Sequence, residues 1–269
     1  MRRISSRQNA LVAHYRAAAR RDDAGLLLLD GPHLIADALA AGLTFRQALV
    51  TTEALGRAGI RTLIDRIQED GADVAVATAP VMAAVSPVRS SSLIVALADQ
   101  PAQQTERLYA GPAPLVVVAC DVQDPGNVGA IARVAEAGGA SGLVAAGACA
   151  DPFGWKALRG SMGSALRLPI QARDDLAAVL AEARARRCRI VAATPRGGRR
   201  LFDADLAGPT ALLVGGEGAG LAEWLVQAAD ARITIPMQAP VESLNAAVTA
   251  ALVVYEAYRQ RTRAAGPTS

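Results

Sequence analysis

Leu115-Val-Val-Val-Ala-Cys-Asp-Val-Gln-Asp-Pro-Gly-Asn-Val-Gly-Ala-Ile-Ala-Arg-Val-Ala-Glu-Ala137 decides the reading of the fold. Its first six residues are apolar without alternation, which marks a strand buried on both faces. The loop 121–127 then gathers Asp124, Pro125 and Gly126, a turn that leaves Asn127 at or near the N-cap of a helix over 128–137. The same alternation continues with a strand at 142–146, helices at 155–165 and 175–187, strands at 189–193 and 211–214, a helix at 221–228, a strand at 232–235 and a helix at 244–261. Continuous apolar strands separated by helices predict a parallel sheet covered on both faces, with its ligand beyond the carboxyl ends of the strands.

Working outward toward the N-terminus, residues 1–98 carry a second, smaller alternation. Apolar strands at 26–29, 48–51, 74–77 and 93–98 are interleaved with helices at 33–41 and 60–69, a small α/β domain. Residues 99–113 are polar and proline-bearing and read as a linker, 114–262 form the larger domain, and 263–269 a flexible tail.

Composition excludes several classes. With 52% apolar residues in 269, the chain can bury a core in each domain. No uninterrupted apolar run approaches the roughly 18 residues of a membrane span, and Met-Arg-Arg-Ile-Ser-Ser lacks the apolar core of a secretory signal, so a cytoplasmic protein is expected. Cys120, Cys149 and Cys188 are scattered and lack C-x-x-C spacing, which argues against a disulfide framework and a metal site. Of 28 basic residues only Lys156 is a lysine, and Arg2, Arg3, Arg7, Arg16, Arg20 and Arg21 all precede the first acid, Asp22. That stretch suits a polyanion or, equally, a solvated helix face.

Three loops could carry chemistry. Leu213-Val-Gly-Gly-Glu-Gly-Ala-Gly-Leu221 follows a strand and opens a helix, a place for close backbone approach to a ligand. It lies too late for a dinucleotide fingerprint and lacks the Gly-Lys-Ser/Thr of a triphosphate-binding loop. Arg133, six residues beyond Asn127, has Ile131, Ala132, Val134 and Ala135 around it, so a ligand or a partner such as Glu136 is expected to hold its charge. The turn after Ile235 offers Pro236, Met237, Ser243 and Asn245. Both histidines, His14 and His33, precede the linker, which leaves the larger domain without the base of a hydrolytic triad.

Taken together, Asp124-Pro-Gly-Asn-x-Gly-x-x-x-Arg133, Gly215-Gly-Glu-Gly-x-Gly-Leu221 and Ile235-Pro-Met…Glu242-Ser-Leu-Asn245 resemble the three ordered motifs of the SpoU (TrmH-like) RNA 2′-O-ribose methyltransferases of the SPOUT superfamily. The resemblance spans about residues 114–261 and includes Asp151-Pro-Phe…Arg159-Gly-Ser-Met-Gly163. More weakly, Ile4-Ser-Ser…Asn9 and Leu29-Asp-Gly31 are similar to the start of an L30e-like RNA-binding domain, with Asp30 where glutamate is more usual.

The resemblance implies an α/β fold with a C-terminal trefoil knot, a smaller L30e-like N-terminal domain, a homodimer, and S-adenosylmethionine as methyl donor. It implies cofactor contacts at Thr194, Gly215, Gly216, Ile235, Met237 and Leu244, a catalytic Arg133, and polar site residues Asn127, Glu217, Ser243 and Asn245. Gly216 departs from the usual Asn or Ser, which leaves only a backbone role there. Arg2, Arg3, Arg7, Arg20 and Arg21 are the expected RNA contacts. Ribosomal RNA is favoured as substrate, because a separate basic domain suits a large folded target. Transfer RNA, and a non-catalytic RNA-binding module of the same fold, stand as alternatives. A guanidinium is a poor base, so Arg133 is expected to bind the phosphate beside the target ribose and to stabilise the developing alkoxide.

Overall fold

Strand hydrogen bonding sorts the chain into two sheets in the computed structural model, which describes residues 1–23, 25–88 and 92–264. The two units are Met1–Ala102 with Phe153–Arg167, and Gln103–Pro152 with Leu168–Ser269. The first unit begins β1 (Arg3–Ile4), α1 (Ala10–Arg20), β2 (Leu26–Asp30), α2 (Pro32–Ala40), β3 (Phe45–Val50), α3 (Ala58–Glu69), β4 (Asp73–Ala77), α4 (Ala79–Val85) and β5 (Ile94–Asp99). Its mixed sheet has the order β1-β4-β3-β5-β2. Helix α1 turns Val12, Tyr15 and Ala18 inward at helical spacing, and Asn9 caps its start by accepting from the Leu11 N–H at 3.0 Å.

The second unit opens with α5 (Thr105–Leu108), β6 (Leu115–Cys120), α6 (Pro125–Ala137) and β7 (Gly142–Ala146). Helices α7 (Trp155–Ser161) and α8 (Ser164–Arg167) then belong to the first unit. After them come β8 (Ile170–Arg173), α9 (Leu176–Ala185), β9 (Arg189–Ala193), β10 (Arg199–Arg200), β11 (Thr210–Gly215), α10 (Glu223–Ala228), β12 (Ala231–Thr234) and α11 (Ala246–Ala264). These seven strands are all parallel, in the order β10-β12-β9-β11-β6-β7-β8.

Several expectations change in detail. The helix expected over 155–165 is two helices, because Met162 takes a left-handed conformation (φ 50°) and Gly163 follows at φ 83°. The stretch expected as linker holds α5, whose Leu108 is fully buried. Helix α11 starts at Ala246, so Leu244 lies before it, and Ile235 lies just past β12. The tail expected at 263–269 is helical through Ala264, and 265–269 lie outside the described residues.

The sheet of the second unit is sealed on one face by Val179, Leu180 and Ala183 of α9 and Leu225 of α10 against Val116, Val118, Ala211 and Leu213. Full burial of each such Val or Leu contributes about 1.5–3 kcal/mol. Helices α6 and α11 pack on each other closely because Gly138 lacks a Cβ, which would sit 2.3 Å from the Val254 Cγ1. The end of α11 is pinned by Arg261, which donates to the carbonyls of Leu206 (3.0 Å), Ala113 (2.7 Å) and Gly208 (2.7 Å). No helix among the described residues is long and apolar enough to cross a membrane.

Candidate active site

Strands β6 and β11 run side by side in the middle of the parallel sheet, and their register sets Gly215 opposite Cys120. Their two following loops are therefore forced together beyond the carboxyl ends. After β6 the chain reverses at Asp121, held left-handed (φ 56°), with its Oδ1 accepting from the Ala148 N–H at 2.7 Å. The Cys149 thiol braces the same turn by donating to the Ala119 carbonyl (3.1 Å) and accepting from the Val122 N–H (3.2 Å). Burial raises the pKa of that thiol, which keeps it protonated and makes it a brace and not a nucleophile.

The loop after β6 leads into α6, and its cap is Asp124, whose Oδ1 accepts from the Asn127 N–H at 2.9 Å. The cap is thus Asp124, and Asn127 lies three residues beyond it, near the N-cap as expected, with its side chain directed to other partners. That amide donates to the Glu217 carboxylate and accepts from the Asn245 Nδ2 at 3.0 Å. Asn245 in turn caps α11 through its Oδ1, which accepts from the N–H groups of Ala247 (2.8 Å) and Val248 (3.2 Å). One line of side-chain hydrogen bonds, Glu217 to Asn127 to Asn245, thus joins the loops after β6, β11 and β12.

In the glycine loop, Gly216 donates its N–H to the Cys120 carbonyl at 2.9 Å and pairs with Gly220 as an isolated antiparallel bridge. A Cβ on Gly216 would lie 2.2 Å from the Asp121 carbonyl oxygen, and one on Gly215 would lie 2.3 Å from the Gly220 carbonyl carbon. Both glycines exist to let backbone meet backbone.

Thr194, just past β9, donates its N–H (2.9 Å) and hydroxyl (3.3 Å) to the Ile233 carbonyl. Ile235, Met237 and Leu244 are half-buried. Among the described residues the main-chain groups of Met237 and Leu244 have no hydrogen-bond partner, so they are available to a ligand. Ser243 is exposed and makes no hydrogen bond to a described residue.

For Arg133 no partner among the described residues, Glu136 included, holds the charge, which leaves the ligand that was the other expectation. The buried positions of α6 are Val128, Gly129, Ile131, Ala132 and Ala135, and Arg133 lies off that stripe, exposed and without a hydrogen bond or ion pair among the described residues. No burial penalty forces it into a partner. It is a free guanidinium at a helix surface about 9 Å of rise beyond Asn127.

The N-terminal arginines also divide. Arg2 pairs with Asp73 (2.6 Å), Arg20 with Asp22 (2.7 Å), and Arg21 donates to the Leu26 carbonyl and the Gln100 side chain (both 2.5 Å). The Arg21 bonds are part-buried and tie the end of α1 to the sheet, whereas the Arg2 and Arg20 pairs are solvent-exposed. Arg3 and Arg7 are exposed and unpaired among the described residues. Among the described residues no group of three His, Cys, Asp or Glu side chains could hold a metal ion.

Missing from the sequence reading were Asp124 as cap, the strained Asp121, the Cys149 brace, and the ion pair between Arg196, after β9, and Glu242, before α11, at 3.3 Å. Only the first had a local signal, since Asp-Pro-Gly is itself a helix-start pattern.

The sequence profile of the SpoU rRNA Methylase family matches residues 114–255. A 23S rRNA (uridine(2479)-2′-O)-methyltransferase of Streptomyces viridochromogenes is 32% identical over 269 residues, covering 97% of this chain and 93% of its own. A 23S rRNA (guanosine(2553)-2′-O)-methyltransferase of Bacillus subtilis is 29% identical over 258 residues, with 95% and 98% covered. The crystal structure of the SpoU methyltransferase AviRb from Streptomyces viridochromogenes in complex with the cofactor AdoMet superposes with a TM-score of 0.85 at 31% identity, covering 94% of this chain and 98% of that one. An AdoMet-bound rRNA methyltransferase from Sinorhizobium meliloti gives 0.85 at 27% identity, with 96% and 97% covered. With its three loops joined beyond a parallel sheet and its profile match running from β6 into α11, the chain belongs to the SpoU rRNA methylase family.

Proposed function

We propose that this chain is an enzyme that methylates the ribose 2′-oxygen of a nucleotide in ribosomal RNA, with S-adenosylmethionine as donor. The observation that carries the reading is the line from Glu217 through Asn127 to Asn245, which gathers three loops into one polar site at the strand ends. Relatives named as 23S rRNA 2′-O-methyltransferases, and structural neighbours bound to AdoMet, support it.

The residues present fit the cofactor. Free main-chain donors and acceptors at Met237 and Leu244 suit a purine edge, and half-buried Ile235, Met237 and Leu244 suit its faces. Gly215, Gly216 and Thr194 complete the wall. When bound, S-adenosylmethionine supplies a methyl group already activated on a sulfonium, so the protein needs neither a nucleophile nor a metal. What the chain adds is placement of the ribose oxygen, which can lower the barrier by several kcal/mol. Ser243 and Asn245 face that ribose. Arg133 would hold the adjacent phosphate and stabilise the alkoxide that develops as the ribose oxygen takes the methyl group the bound cofactor would supply, with the hydroxyl proton passing to a phosphate oxygen or water. A guanidinium fork donates five N–H groups and accepts none, which matches that role and not the role of base.

Calorimetric titration with S-adenosylmethionine, followed by mapping of 2′-O-methyl sites on 23S rRNA from cells with and without the gene, tests the reading. One binding event per chain and one lost methyl site are expected. A folded protein that takes up no S-adenosylmethionine, or an unchanged map, would overturn it.

Three finer features belong to the same proposal. The trefoil knot is supported by β12 lying between β9 and β10 and by the return of α11 onto α6. The first unit serves as an L30e-like RNA-binding domain, in a cytoplasmic protein. Arg3 and Arg7 carry its phosphate contacts: their joint replacement by alanine should lower the slope of log affinity against log salt by about 1.4–1.8 in filter-binding titrations. An unaltered slope would make them a solvated face.

The homodimer is supported by α11, which leaves Val248, Leu252 and Tyr255 exposed at i, i+4 and i+7. A contiguous apolar stripe on a surface helix is suited to the same stripe of a second copy. Leu252→Glu should give a monomer in sedimentation velocity with its helix content intact. A variant that still sediments as a dimer would remove this face from the interface.

A further inference from the structure

The edge of the parallel sheet carries charged and aromatic side chains that methyl transfer does not use. Strand β10 is the edge strand and consists of Arg199 and Arg200, both exposed. Beside them Phe202 is 62% exposed. Around a small surface depression at the same edge lie Arg189, Arg199 and Arg232, with Asp205 the one acidic residue. None of the four arginines has a side-chain hydrogen bond or ion pair among the described residues, and the Asp205 carboxylate accepts from the Ala207 N–H at 3.0 Å. The register pairs Arg200 with Thr234, one residue before Ile235, so this edge runs into the cofactor loop.

We propose that Arg199, Arg200 and Phe202 form an RNA-contact surface on the methyltransferase unit, with the arginines on backbone phosphates and the Phe202 ring stacked on an unpaired base near the methylated nucleotide. The inference rests on the RNA-methylation reading and adds to it a substrate contact within the catalytic unit. Edge arginines alone would serve to stop the sheet from pairing with another chain. A guard of that kind has no need of an exposed phenyl ring, whereas a platform for single-stranded RNA needs both parts. Free guanidinium groups strengthen the case, because an arginine already held by a carboxylate gives up that pairing to bind phosphate.

The test uses the full chain, in vitro transcribed 23S rRNA, and two variants, Arg199→Ala/Arg200→Ala and Phe202→Ala. Affinity for the RNA is measured across a salt series, alongside S-adenosylmethionine affinity and sedimentation. The double variant should weaken RNA binding at least tenfold and flatten its salt dependence. Phe202→Ala should weaken it about tenfold with the salt slope unchanged, as expected for loss of one stacked base. Cofactor affinity and oligomeric state should stay as in the wild type in both. RNA affinities within twofold of wild type would overturn the proposal. So would a Phe202→Ala chain that loses its oligomeric state while keeping its RNA affinity, which would assign the ring to a contact between copies. If the wild type transfers no methyl group to RNA, the enzymatic reading falls, while the affinity comparison still decides for or against the edge.

Discussion

Gly216→Ala should lower the melting temperature by several degrees and weaken S-adenosylmethionine binding at least tenfold. The added Cβ would stand 2.2 Å from the Asp121 carbonyl oxygen and 2.9 Å from its carbon. Neither neighbour is a flexible side chain. Asp121 is fixed by its left-handed turn, by the Ala148 N–H on its carboxylate and by its own N–H on the Ala146 carbonyl at 3.0 Å. The glycine loop must move instead, which breaks the 2.9 Å bond from Gly216 to the Cys120 carbonyl and carries Glu217 away from Asn127. Overpacking of this kind costs about 1–3 kcal/mol, or several degrees in a chain of this size. Gly208→Ala is the control, since nothing lies within 4 Å of its added Cβ. Thermal melts and calorimetry read both effects, and a Gly216→Ala protein with wild-type melting and affinity would show that the two loops are not in register.

Arg133→Ala should separate chemistry from stability. Because the side chain is exposed and unpaired among the described residues, its removal should shift folding stability by less than about 0.5 kcal/mol. Cofactor affinity should hold, while kcat for methyl transfer falls about 10²–10³-fold, the usual cost of one donor aimed at developing negative charge. Arg133→Lys keeps the charge and loses the planar fork, and should recover only a minor part of the rate. Single-turnover transfer from labelled S-adenosylmethionine to 23S rRNA measures this. Near-wild-type turnover by the alanine variant removes Arg133 from the reaction, and near-wild-type turnover by the lysine variant removes the need for the fork.

The strands of the larger domain were legible because each is a short apolar run bounded by turn residues. Leu115–Cys120, Gly142–Ala146 and Arg189–Ala193 are found as read. Short elements without such runs were missed: α4 (Ala79–Val85), β8 (Ile170–Arg173) and the two-residue β10. Their existence depends on neighbours that supply a ladder or a surface to pack on. The exposure of Arg133 was in fact readable. Val128, Ile131, Ala132 and Ala135 follow the i, i+3, i+4, i+7 pattern, and position 133 falls outside that stripe, although its immediate neighbours are apolar.

The sequence by itself determined the local chemistry: which loops follow strands, which glycines permit close approach, which caps start helices, and which residue types are offered to a ligand. Such properties depend on neighbours a few positions apart. Tertiary structure alone decided who meets whom. Glu217 and Asn127 are separated by 90 positions, and Asn127 and Asn245 by 118. They come within hydrogen-bond reach only because parallel register sets Gly215 beside Cys120 and because α11 returns onto α6. A hydrogen bond is governed by angstroms in space, and sequence spacing across three separate loops carries no such distance until the sheet that aligns them has formed.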